Sequence, residues 1–126
     1  MIELETNWSF VSDGEETPDG FSFAGIAAGL KDSKKKDLAL ILAPENSICS
    51  GLFTQSIVRA SCVDICEQRI KKNSGLIRAI LINSGQANAC TGDFGIQHTL
   101  IATKEVSQLL RTVSYTHLTL PTKNEV

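Results

Sequence analysis

The chain has 126 residues, of which 42% are hydrophobic and 21% are charged, and its formal net charge is −2 at pH 7. These values are typical of a soluble globular chain that forms one domain or a piece of one. They give no support to nucleic-acid binding or membrane insertion, because the longest cationic run is Lys34-Lys35-Lys36 and no stretch approaches the ~20 apolar residues of a membrane span.

The first half of the chain shows strand patterns. Phe21 to Leu30 alternates loosely between large and small residues, which predicts a strand packed closely against another element. Asp37 to Ala43 is an apolar run of buried-strand length, and Pro44 to Ser47 predicts a hinge after it. Two further short strands are predicted at Ser50 to Thr54 and at Ile57 to Cys62.

The second half mixes helix and strand patterns. Val63 to Lys71 has the composition of a short helix, which Asn73-Ser74-Gly75 ends. Leu76 to Ile82 is the clearest strand of the chain. A last helix is predicted from Ile96 to Leu110, with Asp93 as its N-cap. Its inward stripe is predicted to consist of Ile96, Leu100, Thr103, Val106 and Leu110.

The four cysteines stand at positions 49, 62, 66 and 90. The N-terminus lacks the basic start and apolar core of a secretory signal, so we predict a cytoplasmic location and free thiols. Cys62 and Cys66 are four residues apart and would share a helix face. A zinc site would need two further ligands, for which only His98 and His117 are available, so we predict buried thiols and no metal.

The order of the elements indicates the fold class. Strands come first and are followed by mixed strand and helix, which favours an α+β fold over a repeating βαβ array. Several strands are apolar on both faces, which predicts a sheet between two other layers. Two helices are too few to cover that much apolar sheet, so the chain is predicted to be part of a larger layered fold.

The signature segment, Asn83 to Gly92, lies between the clearest strand and the last helix. Its residues are small, polar or both, with glycines at both Gly85 and Gly92. One interpretation is a site for an anionic or carbonyl group, formed by loop N–H groups and a helix N-terminus. The other is a tight connection whose short polar side chains satisfy their own backbone. Composition leaves both interpretations open.

The signature segment, together with other pieces of the chain, resembles the ornithine acetyltransferase family of arginine biosynthesis. In that family the segment has the pattern N-S-G-x-A-N-A-C-T-G, and all nine fixed positions of the pattern agree with this chain. The resemblance covers about residues 8–110, and its other pieces match in order: Gly20-Phe21, Gly25 to Lys31, Lys36 to Ile41, Gly51 to Thr54, Val58 to Ala60 and Arg78 to Ile80.

The resemblance implies a truncated piece of a layered α-β-β-α sandwich of the self-processing acetyltransferase and aminopeptidase type. Family members transfer an acetyl group from N-acetylornithine to glutamate, and some also accept acetyl-CoA. The precursor cleaves itself before a threonine, whose hydroxyl then carries the acetyl group, and a Thr-Gly pair forms the oxyanion hole. The resemblance further implies no metal or bound organic cofactor, and a heterotetramer of two α and two β chains.

The catalytic positions of the family do not carry over to this chain. The oxyanion S-T-G segment should follow the helix that ends near Leu110, and the Ala-Thr-Met-Leu cleavage segment lies further on; neither occurs here. Thr91-Gly92 belongs to the signature segment and is not the oxyanion pair. A triad built from Ser84, Cys90, Thr91 and His98 lacks an acidic partner.

We therefore predict no catalytic residue in this chain and an inactive fragment. Structural or supporting roles are predicted for six residues of the signature segment: Asn83, Ser84, Gly85, Asn88, Thr91 and Gly92. Two alternatives remain, a related self-processing amidohydrolase or aminopeptidase and a non-catalytic module that binds an anion.

The last residues depart from the family pattern. Val113 to Thr122 resembles the translated end of a transposon-derived sequencing adapter. We therefore predict that residues 1–111 belong to the N-terminal part of the acetyltransferase α chain and that residues 112–126 are a non-native tail.

Overall fold

The computed structural model describes residues 17–85, 92–112 and 117–122, the last range as backbone with the side chain of Leu118 only. Four strands and two helices lie in these ranges. In chain order they are β1 (Ser22–Ile26), β2 (Leu38–Ile48), α1 (Ser61–Lys72), β3 (Leu76–Ser84), α2 (Gly92–Leu109) and β4 (His117–Thr122). None of the helices in these ranges has the length and apolar character needed to cross a bilayer.

The strands form one sheet in the order β1-β2-β3-β4. β1 pairs antiparallel with β2, β2 pairs antiparallel with β3, and β4 runs parallel to β3. β2 is longer than the sequence predicted and includes the expected hinge at Pro44. The register with β3 shifts between Leu42 and Ser47, and Asn46 within this irregularity has a φ of 63°. The hinge is therefore a bulge inside a continuous strand.

Two predicted strands, Ser50 to Thr54 and Ile57 to Cys62, are wrong. Residues 49–60 form no strand or helix, and α1 begins at Ser61. Leu52 and Ile57 are 103% and 101% exposed, so the apolar pattern that predicted these strands is not a buried face. The predicted strand Phe21 to Leu30 is also too long, since β1 ends at Ile26.

The predicted helix Val63 to Lys71 is confirmed as α1, which begins two residues earlier at Ser61. Arg59, just before the helix, forms ion pairs with Asp64 at 2.5 Å and Glu67 at 2.9 Å. The predicted end at Asn73 is also confirmed, because its N–H donates to the carbonyl of Arg69 at 3.0 Å. Charged side chains in the first two turns thus fix the direction in which the chain enters the helix.

The helix α2 exists as predicted, but its buried face agrees only in part, because Thr103 is the one residue of the predicted stripe that is buried. The buried residues are Gly95, Thr99, Thr103 and Ser107, each four positions after the last. Ile96 and Leu100, expected inside, are 36% and 44% exposed. Small residues at i, i+4 spacing allow a close approach of neighbouring backbones, so the apolar pattern alone placed Ile96 and Leu100 on the wrong side. Asp93 is also not the N-cap, because the helix already includes Gly92.

Hydroxyl groups connect the two helices. The Ser61 and Thr99 hydroxyl oxygens lie 3.5 Å apart, and the Arg69 guanidinium donates to Thr103 Oγ1 at 3.1 Å. Thr103 is fully buried, and its own hydroxyl donates to the carbonyl of Leu100 at 3.1 Å. These buried polar groups have partners, as stable packing requires.

Both helices cover the same face of the sheet. Ile77, Ala79 and Leu81 alternate along β3 and are buried, so their side chains share one face. Ile77 belongs to a core cluster with Cys66 of α1 and Leu118 of β4. Leu81 lines a cavity of about 220 Å³ with Val106 of α2. The α+β class is confirmed, and the described residues form one sheet and one helical layer.

The predicted placement of the two helical cysteines is confirmed. Cys62 and Cys66 are 1% and 2% exposed and lie on the inner face of α1, and neither forms a disulfide. Burial raises the pKa of the Cys62 thiol to about 11, with a smaller contribution from the neighbouring Cys66. Cys62 is therefore protonated at neutral pH and acts as a small apolar residue.

We expect Thr99→Leu to destabilise the chain because the buried Thr99 side chain lies where α2 meets Ser61 of α1. Overpacking of this kind costs about 1–3 kcal/mol. The measurement is the urea unfolding midpoint of the purified 126-residue chain. Gln97→Leu on the exposed side of the same helix is the matched control, and it should change the unfolding free energy by less than about 0.5 kcal/mol. Equal effects of the two substitutions would contradict the observed packing face.

Candidate functional site

The signature segment begins at the end of β3, next to the start of β2. Asn83 pairs with Leu38, and the Ser84 N–H donates to the carbonyl of Asp37 at 2.8 Å. Of the six predicted residues, the structure therefore brings Asn83, Ser84 and Gly85 to one corner of the sheet. Residues 86–91, which include the predicted Asn88 and Thr91, lie outside the described residues.

Gly85 packs against the turn that follows β1. Its φ is +102°, a backbone conformation that L side chains rarely adopt. A Cβ atom at this position would lie 2.7 Å from Lys31 Cγ and 3.2 Å from the carbonyl oxygen of Leu30. Both the backbone angle and the close contact therefore require glycine, which gives a physical basis for a structural role.

Ser84 carries a buried hydroxyl that has no hydrogen-bond partner among the described residues. A buried hydroxyl without a partner costs about 1–3 kcal/mol relative to a satisfied one. No described acid or base activates it, so the arrangement does not make Ser84 a nucleophile. Its predicted supporting role stays a prediction.

Gly92 is the first residue of α2 and has a φ of +54°. The positive end of a helix dipole attracts anions at this position. Asp93, however, places its own carboxylate in the first turn of the helix. That negative charge already occupies the favourable field and repels a second anion, which weakens the interpretation of this end as an anion site.

The remaining members of the rejected triad do not assemble with Ser84 in the described part of the chain. Cys90 and Thr91 lie outside it, and the His98 ring packs against Phe94 at an angle of 57°, with ring centroids 4.3 Å apart. Both rings are on the exposed surface of α2. Within residues 17–85, 92–112 and 117–122, no group of three His, Cys, Asp or Glu side chains is placed to bind a metal ion.

One residue of this corner was not singled out from the sequence. Asp37 is 3% exposed, and its backbone connects two strands, because its N–H donates to Ile26 and its carbonyl accepts from Ser84. The only available signal was a charged residue at the start of an apolar strand. A position of this kind normally marks the exposed end of a strand, so the pattern gave no reason to expect burial.

The comparisons with known proteins agree with this structure. The model of the ArgJ family matches residues 22–122. An arginine biosynthesis bifunctional protein ArgJ from Prochlorococcus marinus subsp. pastoris is 94% identical over 100 residues, which are 79% of this chain and 25% of that protein. The protein of the same name from Parasynechococcus marenigrum is 53% identical over 107 residues, covering 85% of this chain and 26% of that protein.

A solved structure has the same fold. The ornithine acetyltransferase of Mycobacterium tuberculosis, crystallised in complex with ornithine, superposes with a TM-score of 0.79 and is 33% identical. The superposition covers 86% of this chain and 58% of that one. This chain belongs to the ArgJ family, and it spans about a quarter of the length of the curated relatives it matches.

We expect Gly85→Ala to destabilise the chain more than Gly29→Ala does. Both glycines have positive φ, at +102° and +81°, but a Cβ at Gly29 would meet nothing within 4 Å. The backbone effect alone costs about 1–2 kcal/mol, and the contact with Lys31 and Leu30 should bring the Gly85 penalty to about 2–4 kcal/mol. Urea unfolding midpoints of both variants measure the difference. Equal losses would show that the close contact at Gly85 contributes nothing.

Proposed function

We propose that this chain is part of an enzyme that transfers an acetyl group from N-acetylornithine to glutamate in arginine biosynthesis. The observation that carries the proposal is the 94% identity over 100 residues to a bifunctional ArgJ protein. The ornithine bound to the Mycobacterium tuberculosis relative is the deacetylated product expected of this reaction. Acetyl-CoA serves as a second acetyl donor if the parent is bifunctional, as the names of the relatives suggest.

In the proposed reaction, a threonine hydroxyl freed by self-cleavage attacks the acetyl carbonyl of N-acetylornithine. Ornithine leaves with a proton, and the acetyl group remains on the threonine as an ester. The amine of glutamate then attacks the ester, which forms N-acetylglutamate and restores the hydroxyl. Both the nucleophile and the oxyanion Thr-Gly pair belong to parts of the parent that this chain lacks, so the chain alone is expected to be inactive.

This chain contributes a scaffold to that reaction. The described residues offer no activated nucleophile, because Ser84 Oγ is buried without a base and Cys62 is protonated at neutral pH. We further propose that the parent works in the cytoplasm and assembles as two α and two β chains. In that assembly, the residues of the signature segment have structural or supporting roles.

The two alternatives are less well supported. A self-processing amidohydrolase or aminopeptidase of the same general fold does not account for the match of the signature segment to the acetyltransferase form. A module that binds an anion at the N-terminus of α2 conflicts with the carboxylate of Asp93 in that first turn.

A chimera tests the proposed function. Residues 17–111 of this chain replace the corresponding residues of the full-length Prochlorococcus relative. We expect the chimera to cleave itself and to transfer acetyl from N-acetylornithine to glutamate, measured by mass spectrometry of N-acetylglutamate. The 126-residue chain assayed alone is the negative control and should show no turnover above background.

Two outcomes would contradict the proposal. A soluble, cleaved chimera that releases amino acids from aminoacyl anilides but forms no N-acetylglutamate would favour the amidohydrolase or aminopeptidase alternative. Turnover by the isolated chain would show that catalytic residues lie within it.

We also propose that residues 112–126 are a non-native tail. The support is the adapter-like stretch Val113 to Thr122. β4 lies within this stretch and the family match extends to residue 122. Pairing along the edge of a sheet uses backbone groups, and of the residues of β4 only Pro121 lacks an N–H. Leu118 adds one apolar side chain to the core. Neither requirement is specific to the family, so β4 is compatible with a foreign sequence. Longer reads of the source DNA should show family sequence after Arg111, whereas a continuous native reading frame through residue 126 would refute the proposal.

A further inference from the structure

The carboxylate of Asp37 is surrounded by backbone N–H groups of one turn. Oδ1 accepts from the N–H of Ala28 at 2.6 Å, and Oδ2 accepts from Leu30 at 2.6 Å and Lys31 at 3.0 Å. The residue is 3% exposed, and no ion pair to it occurs among the described residues. Three backbone dipoles therefore stabilise the buried negative charge in place of a cation.

These hydrogen bonds favour the ionised carboxylate. The N–H of Ala28 has the largest effect in lowering the pKa of Asp37, and burial opposes it to a smaller extent. A lowered pKa means that the stabilisation is present at neutral pH and is lost as the pH falls through that lowered value. At neutral pH the carboxylate of Asp37 is therefore ionised, and its charge strengthens all three hydrogen bonds to the turn.

The turn held by Asp37 is the surface that Gly85 contacts. Lys31 Cγ and the Leu30 carbonyl are the atoms nearest to the position of a Cβ on Gly85. The backbone of Asp37 also accepts a hydrogen bond from Ser84, the residue just before Gly85. One residue therefore contacts the signature segment both directly and through the turn.

We propose that Asp37 is a positioning residue for the signature segment, acting through the turn of residues 28–31. It holds the turn with its side chain and the first part of the segment with its carbonyl, so that both occupy fixed positions relative to β2. The importance of this for acetyl transfer rests on the proposed function, whereas the coupling between turn and segment does not.

Hydrogen–deuterium exchange of the 126-residue chain and its Asp37→Asn variant tests the coupling. The amide side chain keeps the shape of aspartate but loses the charge and directs an NH₂ donor at N–H donors. Exchange at residues 28–31 should rise at least tenfold, and exchange across residues 83–92 should rise with it. The interior of β3, residues 77–82, should keep its protection. Asp32→Asn, an exposed aspartate of the same loop, is the matched control and should change neither region.

Two results would overturn the proposal. One is an unchanged rate at residues 83–92 while residues 28–31 open, which would show that turn and segment are independent. The other is unchanged protection at residues 28–31, which would show that the carboxylate does not hold the turn.

A second pair of variants keeps the test decisive if Asp37→Asn does not fold. Lys31→Ala removes the side-chain atom closest to Gly85 but leaves the backbone N–H bonded to Asp37. If the turn positions the segment, Lys31→Ala should reverse at least half of the increase in exchange that Gly85→Ala causes at residues 83–92. Independent, additive effects of the two substitutions would show that the contact between Lys31 and Gly85 does not position the segment.

The chimera separates this proposal from the proposed function. Asp37→Asn in the chimera should slow self-cleavage at least tenfold, and more than Thr99→Leu does at an equal loss of thermal midpoint. Equal slowing of self-cleavage by the two variants would show that Asp37 contributes only to general stability, which would contradict the positioning role. An inactive parent chimera with intact coupling in the exchange experiment would refute the proposed function alone.

Discussion

The antiparallel register of β2 and β3, which sets Leu38 opposite Asn83, is the constraint on which the other features depend. Side chains alternate along a strand, so the register decides which residues of β3 face the helices. The same register places Asp37 beside Ser84 and so joins the turn after β1 to the signature segment. A slip of one residue would turn Leu81 away from α2 and separate these two parts of the chain.

The sequence predicted elements well where local pattern and packing agree. β3 and α1 were found close to their bounds because a continuous apolar run and a clear stop signal dominate there. The strands expected at Ser50 to Thr54 and Ile57 to Cys62 were wrong because Leu52 and Ile57 are apolar yet exposed. The inner face of α2 was predicted only in part, because small residues such as Gly95 and Thr99 form it beside Thr103. A pattern of hydrophobic residues cannot identify a helix face that is buried because its side chains are small.

The candidate site was likewise predicted from the sequence only in part. The signature segment was recognised from its residues and from its likeness to a family, without any knowledge of the fold. Asp37 was not, because its burial depends on a turn six to nine residues before it and on a strand more than forty residues after it. No local pattern predicts that three N–H groups of one turn converge on one carboxylate. The spacing of such partners is fixed only when the strands have paired.

The buried thiol of Cys62 provides a way to measure how often helix α1 detaches from the sheet. Alkylating reagents react with the thiolate, and a pKa of about 11 leaves about one molecule in a thousand ionised at pH 8. The inner face of α1 also excludes the reagent while the helix lies on the sheet. Modification of Cys62 therefore requires α1 to detach, so the labelling rate at Cys62 itself, distinguished from that of the half-buried Cys49, measures that event. Cys62 makes the chain its own reporter of local unfolding, without an added probe.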